Sequence, residues 1–260
     1  MVNVKKSITV LKHFVLILTL MASGNYCNAQ LTVTKIEAKQ INVNEKAATP
    51  EKYETFISPY RQRIDKDMDN ILATCPETLD RSKGQWQSNI GDMMANATLS
   101  KTSPVFRKRE GRDIDVCILN HGGIRSILPA GNVTTRNAFE IMPFENTTVV
   151  VELKGAKIAE FVKYFIKEKK PHPIAGITFT IDLNNEGQDI RIKDQPLNLE
   201  KSYFVVTSDY LANGGDNMNF FKDPIRVVDL DYKLRNILID YFKDVKTIPV
   251  VQQIKVTQEK

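Results

Sequence analysis

Three short segments carry residue types suited to small-molecule chemistry. Asn120-His121-Gly122-Gly123-Ile124-Arg125 sets an amide fork and a five-donor guanidinium around two glycines, which permit positive φ and close approach of a ligand to the backbone. Such a loop can read a base edge and an anionic or hydroxylated group at one place; a sharp turn with Asn120 capping the backbone and Arg125 solvated also accounts for it. Tyr210-Leu211-Ala212-Asn213-Gly214-Gly215-Asp216 contains the turn dipeptide Asn-Gly. A plain turn leaves unexplained an aromatic six residues ahead of a carboxylate, a pair able to stack a ring and grip a diol. In Met142-Pro143-Phe144-Glu145-Asn146 the proline fixes the chain ahead of Phe144, although such a phenylalanine is more often core than ligand platform.

The elements that must position these segments are a mixture of α and β. Residues 115–119 form a compact apolar run that reads as a buried strand feeding His121-Gly122-Gly123, and residues 203–208 form another feeding Tyr210. Residues 147–153 are β-branched and strand-like. Gly155 opens a helix with Ile158, Phe161, Val162, Phe165 and Ile166 on one face, and Leu234, Ile237, Leu238, Tyr241 and Phe242 repeat that spacing, so each helix lays one side on a sheet. Residues 174–183 and 190–193 flank Asn184-Asn185-Glu186-Gly187, a hairpin turn. Upstream, residues 31–43 alternate as a strand. Pro50 and Pro59 each follow Thr or Ser, as at helix N-termini, the second helix presenting Tyr60, Ile64, Met68, Ile71 and Leu72 on one face. Residues 85–98 read as a short helix. The expected class is α/β, a mixed sheet flanked by helices.

With 260 residues, 42% hydrophobic and 26% charged, the composition excludes disorder, collagen and coiled coil. Lys5, Lys6 and Lys12, an apolar run over residues 14–21 and Cys27-Asn28-Ala29 read as a signal peptide cleaved after Ala29, leaving Gln30 first and the protein secreted, in a periplasm. Acylation of Cys27 is the alternative, against which Tyr26 stands. No later run approaches the roughly 20 uncharged residues of a membrane-spanning helix. Residues 1–29 hold three of the 36 basic residues and no acid, so the formal charge of +5 falls to +2 beyond them. No dense basic run with interleaved aromatics argues for a nucleic-acid polymer. Cys75 and Cys117 remain, free to pair or to stay buried thiols. The expected organisation is a signal peptide (1–29), an N-terminal extension packing on the domain (30–74) and one domain (75–260).

In the order and spacing of the three segments, the chain resembles the C-terminal domain of the 5′-nucleotidase family, whose members carry Asn-x-Gly-Gly-Ile-Arg, then Pro-Phe, then aromatic-Leu-Ala-Asn-Gly-Gly-Asp. Gly131-Asn132-Val133-Thr134 and Leu153-Lys154-Gly155-Ala156 extend the resemblance over residues 75–225. It implies an α/β domain that binds the nucleoside part of a nucleotide. Phe144 and Tyr210 would sandwich the purine, Asn120 hydrogen-bond the base, Asp216 hold the ribose hydroxyls and Arg125 contact ribose or phosphate, with Gly122, Gly123, Asn213 and Gly215 completing the substrate-binding set. Tyr210 stands where phenylalanine is more usual, and His121 fills a variable position at the rim. The family also has an arginine a few residues ahead of a helix start that residues 87–94 resemble; here the counted position is Gly84, and Arg81 or Lys83 would have to substitute.

Family members hydrolyse phosphoesters with a separate N-terminal metallophosphoesterase domain carrying two metals, which takes several His, Asp and Asn ligands. Beyond residue 29 the chain holds two histidines, His121 and His172, and no His-x-His, Asp-x-His or Asn-His-Glu cluster. The resemblance therefore implies no catalytic residue, metal or cofactor on this chain, and divalent metals on a partner metallophosphoesterase. The expected function is the exported nucleoside- or nucleotide-binding half of a split 5′-nucleotidase, inactive alone, with a non-enzymatic nucleoside-binding or sensing protein as the alternative. The intact set of Phe144, Tyr210, Asn120 and Asp216 stands against a scaffold that no longer binds.

Overall fold

Short β-branched runs alternating with helices that have one apolar face produce layers. The computed structural model describes residues 4–23, 35–42, 44, 50–250 and 253–259. Helices α1 (Val4–Ser23) and α2 (Glu51–Met68) precede β1 (Ile71–Cys75), α3 (Asn89–Glu110), β2 (Val116–Ile118), β3 (Gly131–Thr134), α4 (Thr135–Ile141) and β4 (Thr147–Lys154). There follow α5 (Gly155–Glu168), β5 (Ile174–Ala175), β6 (Ile177–Ile181), β7 (Gly187–Ile192), β8 (Gln195–Pro196) and β9 (Ser202–Ser208). The chain then forms α6 (Asp209–Ala212), β10 (Arg226–Lys233), α7 (Leu234–Val245) and β11 (Val256–Gln258). It divides into two compact units, Met1–Tyr53 and Glu54–Lys260, and the second carries all the sheets.

The central sheet has the order β10-β4-β9-β2-β5 and is buried on both faces. Successive side chains of a strand point to opposite sides. Thus Cys117, Val150 and Val206 pack with Met93 and Phe106 of α3 and Ile237 and Phe242 of α7. Their neighbours Val116, Val149, Val151 and Val205 pack with Ile158, Phe161 and Phe165 of α5. Both predicted helical stripes are therefore the contact faces. A smaller sheet, β11-β6-β7-β8, contributes Phe179 and Ile181 to the α5 side, and β1 and β3 form an antiparallel pair.

The α/β class and both amphipathic helices agree with the sequence reading, while several boundaries do not. Residues 35–42 form no strand, and Ile36 and Ile41 are exposed; residues 31–34, 43 and the Cys27–Ala29 exit with Gln30 lie outside the described residues. Pro59 does not begin a second helix but sits inside α2, where it removes one backbone donor without ending the helix. Tyr60 and Ile64 remain exposed, and Ile71 and Leu72 belong to β1. The helix expected over 85–98 begins at Asn89, where the Ser88 hydroxyl accepts from the Gly91 amide at 3.2 Å, and runs to Glu110 before the left-handed Gly111. Gly176, at φ 78°, divides the expected 174–183 strand; a Cβ there would fall 2.2 Å from the Asp115 carbonyl oxygen. Cys75 and Cys117 are both buried free thiols. Among the described residues no helix is long and apolar enough to cross a membrane.

A buried ion pair ties the last strand to the start of α3. Lys255 Nζ donates to Asp92 Oδ1 at 2.9 Å and to the Ile174 carbonyl at 2.6 Å, with the two side chains 3% and 6% exposed. Gln87 closes the group, donating to Asp92 Oδ2 at 2.6 Å and accepting from the Lys255 amide at 2.9 Å. Removing one member leaves an uncompensated buried charge. Lys255→Met is expected to cost about 3–5 kcal/mol in chemical denaturation, and Asp92→Leu/Lys255→Met to recover much of that loss; equal stability of the single variant and the wild type would contradict this account.

Candidate functional site

Strand pairing brings the three segments to one sheet end. β2 and β9 are parallel, with Val116 opposite Val205 and Cys117 opposite Val206, so the loops that follow them leave the same edge. β4 is antiparallel to β9, with Thr148 opposite Ser208, so the segment that precedes β4 arrives where β9 ends. Asn120–Arg125, Tyr210–Asp216 and Phe144–Asn146 consequently converge at the carboxyl ends of two adjacent parallel strands, where ligand clefts of open α/β sheets form.

Local chemistry then shapes each loop. After β2 the chain makes a 3-10 turn over His121–Gly123; a Cβ on Gly123 would meet Asn120 Oδ1 at 2.7 Å. After β9 the Ser208 hydroxyl caps α6 by accepting from the Leu211 amide at 3.2 Å. Gly214 (φ 89°), Asp216 (φ 52°) and Asn217 (φ 59°) are all left-handed. The Tyr210 ring lies against the Gly215 backbone, where a Cβ would come within 2.5 Å of the ring. Before β4, Glu145 pairs with Arg235 and with Lys233 (2.6 Å), and these bonds pull its carboxyl down to about 2. Arg235 also stacks 4.1 Å over Phe139 and donates to the Phe144 carbonyl at 3.3 Å. Asn146 reaches across to Asp209 Oδ1 at 2.9 Å, joining the Phe144 and Tyr210 loops.

The result is a cavity of about 470 Å³ lined by Asn120, Gly122, Gly123, Arg125, Phe144, Tyr210 and Asp216, seven of the nine predicted site residues. Phe144 and Tyr210 are 40% and 47% exposed, so both rings are open to a ligand. Arg125 lies 5.8 Å over the Phe144 ring and donates to the Gly122 carbonyl at 3.3 Å. Asn120 Nδ2 donates to Asp216 Oδ2 at 2.6 Å and the Tyr210 hydroxyl to Asp216 Oδ1 at 2.8 Å, the latter bond raising the Tyr210 phenol above its ordinary value. Gly215 sits beneath Tyr210 without lining the cavity, and Asn213 turns its amide back to the Asp209 carbonyl at 2.8 Å. Met142, Asn146, Ser208 and Leu234 complete the wall. The first two lie within the Pro-Phe segment, whereas nothing local in the sequence marks Ser208 or Leu234.

The counted arginine position has a backbone reason to be glycine. Gly84 has φ 94°, and a Cβ on it would fall 2.0 Å from the Gln87 carbonyl oxygen. Arg81 donates to the Ile124 carbonyl at 2.5 Å, bracing the Asn120–Arg125 loop from behind, and neither Arg81 nor Lys83 lines the cavity. Among the described residues no group of three or more His, Cys, Asp or Glu could hold a metal ion.

These features define an α/β domain with a cleft at the carboxyl ends of two parallel strands, and the chain belongs to the 5′-nucleotidase C-terminal domain family, which matches residues 70–223. It is 28% identical over 184 residues to human 5′-nucleotidase, a match covering 63% of this chain and 31% of that protein. It is 27% identical over 160 residues to the trifunctional nucleotide phosphoesterase YfkN of Bacillus subtilis, covering 56% of this chain and 10% of that protein. Its fold matches the 5′-nucleotidase precursor of Thermus thermophilus with a TM-score of 0.67 at 24% identity, over 79% of this chain and 42% of the other. The chain thus spans a third or less of these curated relatives.

Behind the pocket, the His121 amide donates to His172 Nδ1 at 3.2 Å. Burial pushes His172 down to about 4 and lowers His121 as well. Because the folded value of His172 lies below the ordinary 6.5, its neutral form stabilises the fold fully above pH 6.5. That contribution is lost as pH falls from 6.5 towards 4. The loss is on the order of 3 kcal/mol. Denaturation measured across this window should show a shallower pH slope in His172→Asn than in the wild type; identical slopes would remove His172 from the acid response.

Proposed function

We propose that the pocket binds the nucleoside part of a nucleoside or nucleoside 5′-monophosphate, and that the chain is the exported substrate-binding half of a metal-dependent 5′-nucleotidase whose metallophosphoesterase domain is a separate chain. The observation that carries the reading is the pairing, in one 470 Å³ cavity, of two exposed aromatic rings with an amide and a carboxylate. Phe144 and Tyr210 offer π faces to a base, Asn120 a donor and acceptor for its edge, Asp216 acceptors for a cis-diol, and Arg125 a cation for ribose or phosphate. Family membership supports a nucleotide ligand. The basic start and apolar run of residues 5–21 support export. The scarcity of histidine beyond residue 29 supports metals held by a partner chain.

Hydrolysis then depends on that partner. The purified chain is expected to hydrolyse AMP no faster than buffer containing divalent metal, and chelator-sensitive turnover by the chain alone would overturn the division of labour. Calorimetry with adenosine should show Phe144→Ala and Tyr210→Ala each losing about 1–3 kcal/mol of binding with the fold intact. If the wild type binds well and neither change matters, the ligand lies elsewhere. Asp216→Ala should reduce the preference for adenosine over 2′,3′-dideoxyadenosine, since a site built to pair hydroxyls rejects an analogue that leaves it unpaired; a double-mutant cycle with zero coupling would return Asp216 to a turn role.

A further inference from the structure

Resting on the nucleoside reading and going beyond it, we propose that the Tyr210 hydroxyl, with Tyr164 behind it, sets the selectivity of the pocket for ribose by holding the Asp216 carboxylate in one orientation. Asp216 is bonded at all four of its polar atoms. Its amide donates to the Tyr210 hydroxyl oxygen at 3.2 Å, and its carbonyl accepts from the Tyr164 hydroxyl at 2.9 Å. Its Oδ1 accepts from Tyr210 at 2.8 Å and its Oδ2 from Asn120 at 2.6 Å. It also adopts φ 52° and ψ 26°, a left-handed conformation that aspartate takes more readily than most residues with a side chain.

Tyr210 holds the residue at two points, since its one hydroxyl accepts a hydrogen bond from the Asp216 amide and donates one to the Asp216 carboxylate. A phenylalanine ring in that place would keep the π face and lose both bonds. The carboxylate has about four acceptor positions. Tyr210 and Asn120 use one on each oxygen, which leaves one on each, the number a cis-diol fills. The Tyr210 ring rests on the backbone of Gly215, the residue immediately before Asp216, where no Cβ intervenes. One side chain therefore carries the platform for the base and also fixes the acceptor for the sugar. The distance between the two subsites is set within a single residue rather than between separate loops.

Tyr164 reaches Asp216 from α5 and does not line the nucleoside pocket. It is a positioning residue that anchors the Asp216 carbonyl, on the peptide group after the one whose amide Tyr210 holds. A merely structural role for it would weaken all ligands alike, whereas positioning of Asp216 alters the ratio between ligands that differ only in their hydroxyls.

The test is calorimetric titration of adenosine and 2′,3′-dideoxyadenosine into the full chain and its Tyr210→Phe, Tyr164→Phe and Asp216→Ala variants. The ratio of the two affinities is expected to fall about 3- to 10-fold in Tyr210→Phe, the worth of one hydrogen bond to an exposed group, and by a smaller factor in Tyr164→Phe. In the Asp216→Ala background, Tyr210→Phe should change the ratio no further. An unchanged or increased ratio in Tyr210→Phe overturns the inference while leaving the nucleoside reading intact, as does a fall that persists without Asp216. A wild type that binds neither compound overturns both.

Discussion

The parallel pairing of β2 with β9 is the constraint on which the site depends. Parallel neighbours need a long crossover, and here the chain between them includes β4, which runs antiparallel to β9 and starts where β9 ends. Two loops that leave strands and one that enters a strand thus meet at the same edge, although Asn120 and Asp216 are 96 residues apart in the sequence. Shifting β2 against β9 by one residue would exchange Val116 and Cys117 between the two faces, and both faces are packed with helices. Register is consequently held by burial on each side, and the loop positions follow from register.

Rigidity beneath the loops allows polar groups at their tips to be held by modest bonds. Each core side chain such as Phe161 or Phe242 contributes about 1.5–3 kcal/mol on full burial, whereas an exposed hydrogen bond contributes about 0.5–1.5 kcal/mol. The pocket bonds therefore orient groups more than they stabilise the domain. Arg235 illustrates the division, with its guanidinium stacked on Phe139 and its donors fixing Glu145 and the Phe144 carbonyl ahead of β4. Asn146 and Asp209 then join two loops whose strands already adjoin.

Two positions at which the chain differs from the family pattern it resembles, Gly84 and Tyr210, each have a visible consequence in the fold. At Gly84 a left-handed turn closing on the Gln87 carbonyl admits no side chain, and the nearby Arg81 donates to the Ile124 carbonyl rather than lining the cavity. At Tyr210 the departure adds a hydroxyl rather than removing a group, and Asp216 lies within its reach. The first leaves that side of the cavity without Arg81 or Lys83 in its wall, and the second adds a hydrogen bond to the Asp216 carboxylate.

The sequence by itself determined the α/β class, the two stripes of α5 and α7 and the motifs that line the pocket. Apolar periodicity records which side of an element is buried, and glycine-rich loops after strands record where the backbone must turn sharply. It left open which strands adjoin, because burial pattern is the same whichever neighbour covers a face. Tertiary structure alone decided that Pro59 lies inside a continuous helix, that Gly176 separates two strands, and that Ser208 and Leu234 reach the pocket while Asn213 turns away. It also decided that Tyr210, Asn120 and Tyr164 all close on Asp216. Those outcomes depend on contacts between residues far apart in the chain, and no local propensity encodes a bond whose partner arrives only when the sheet is assembled.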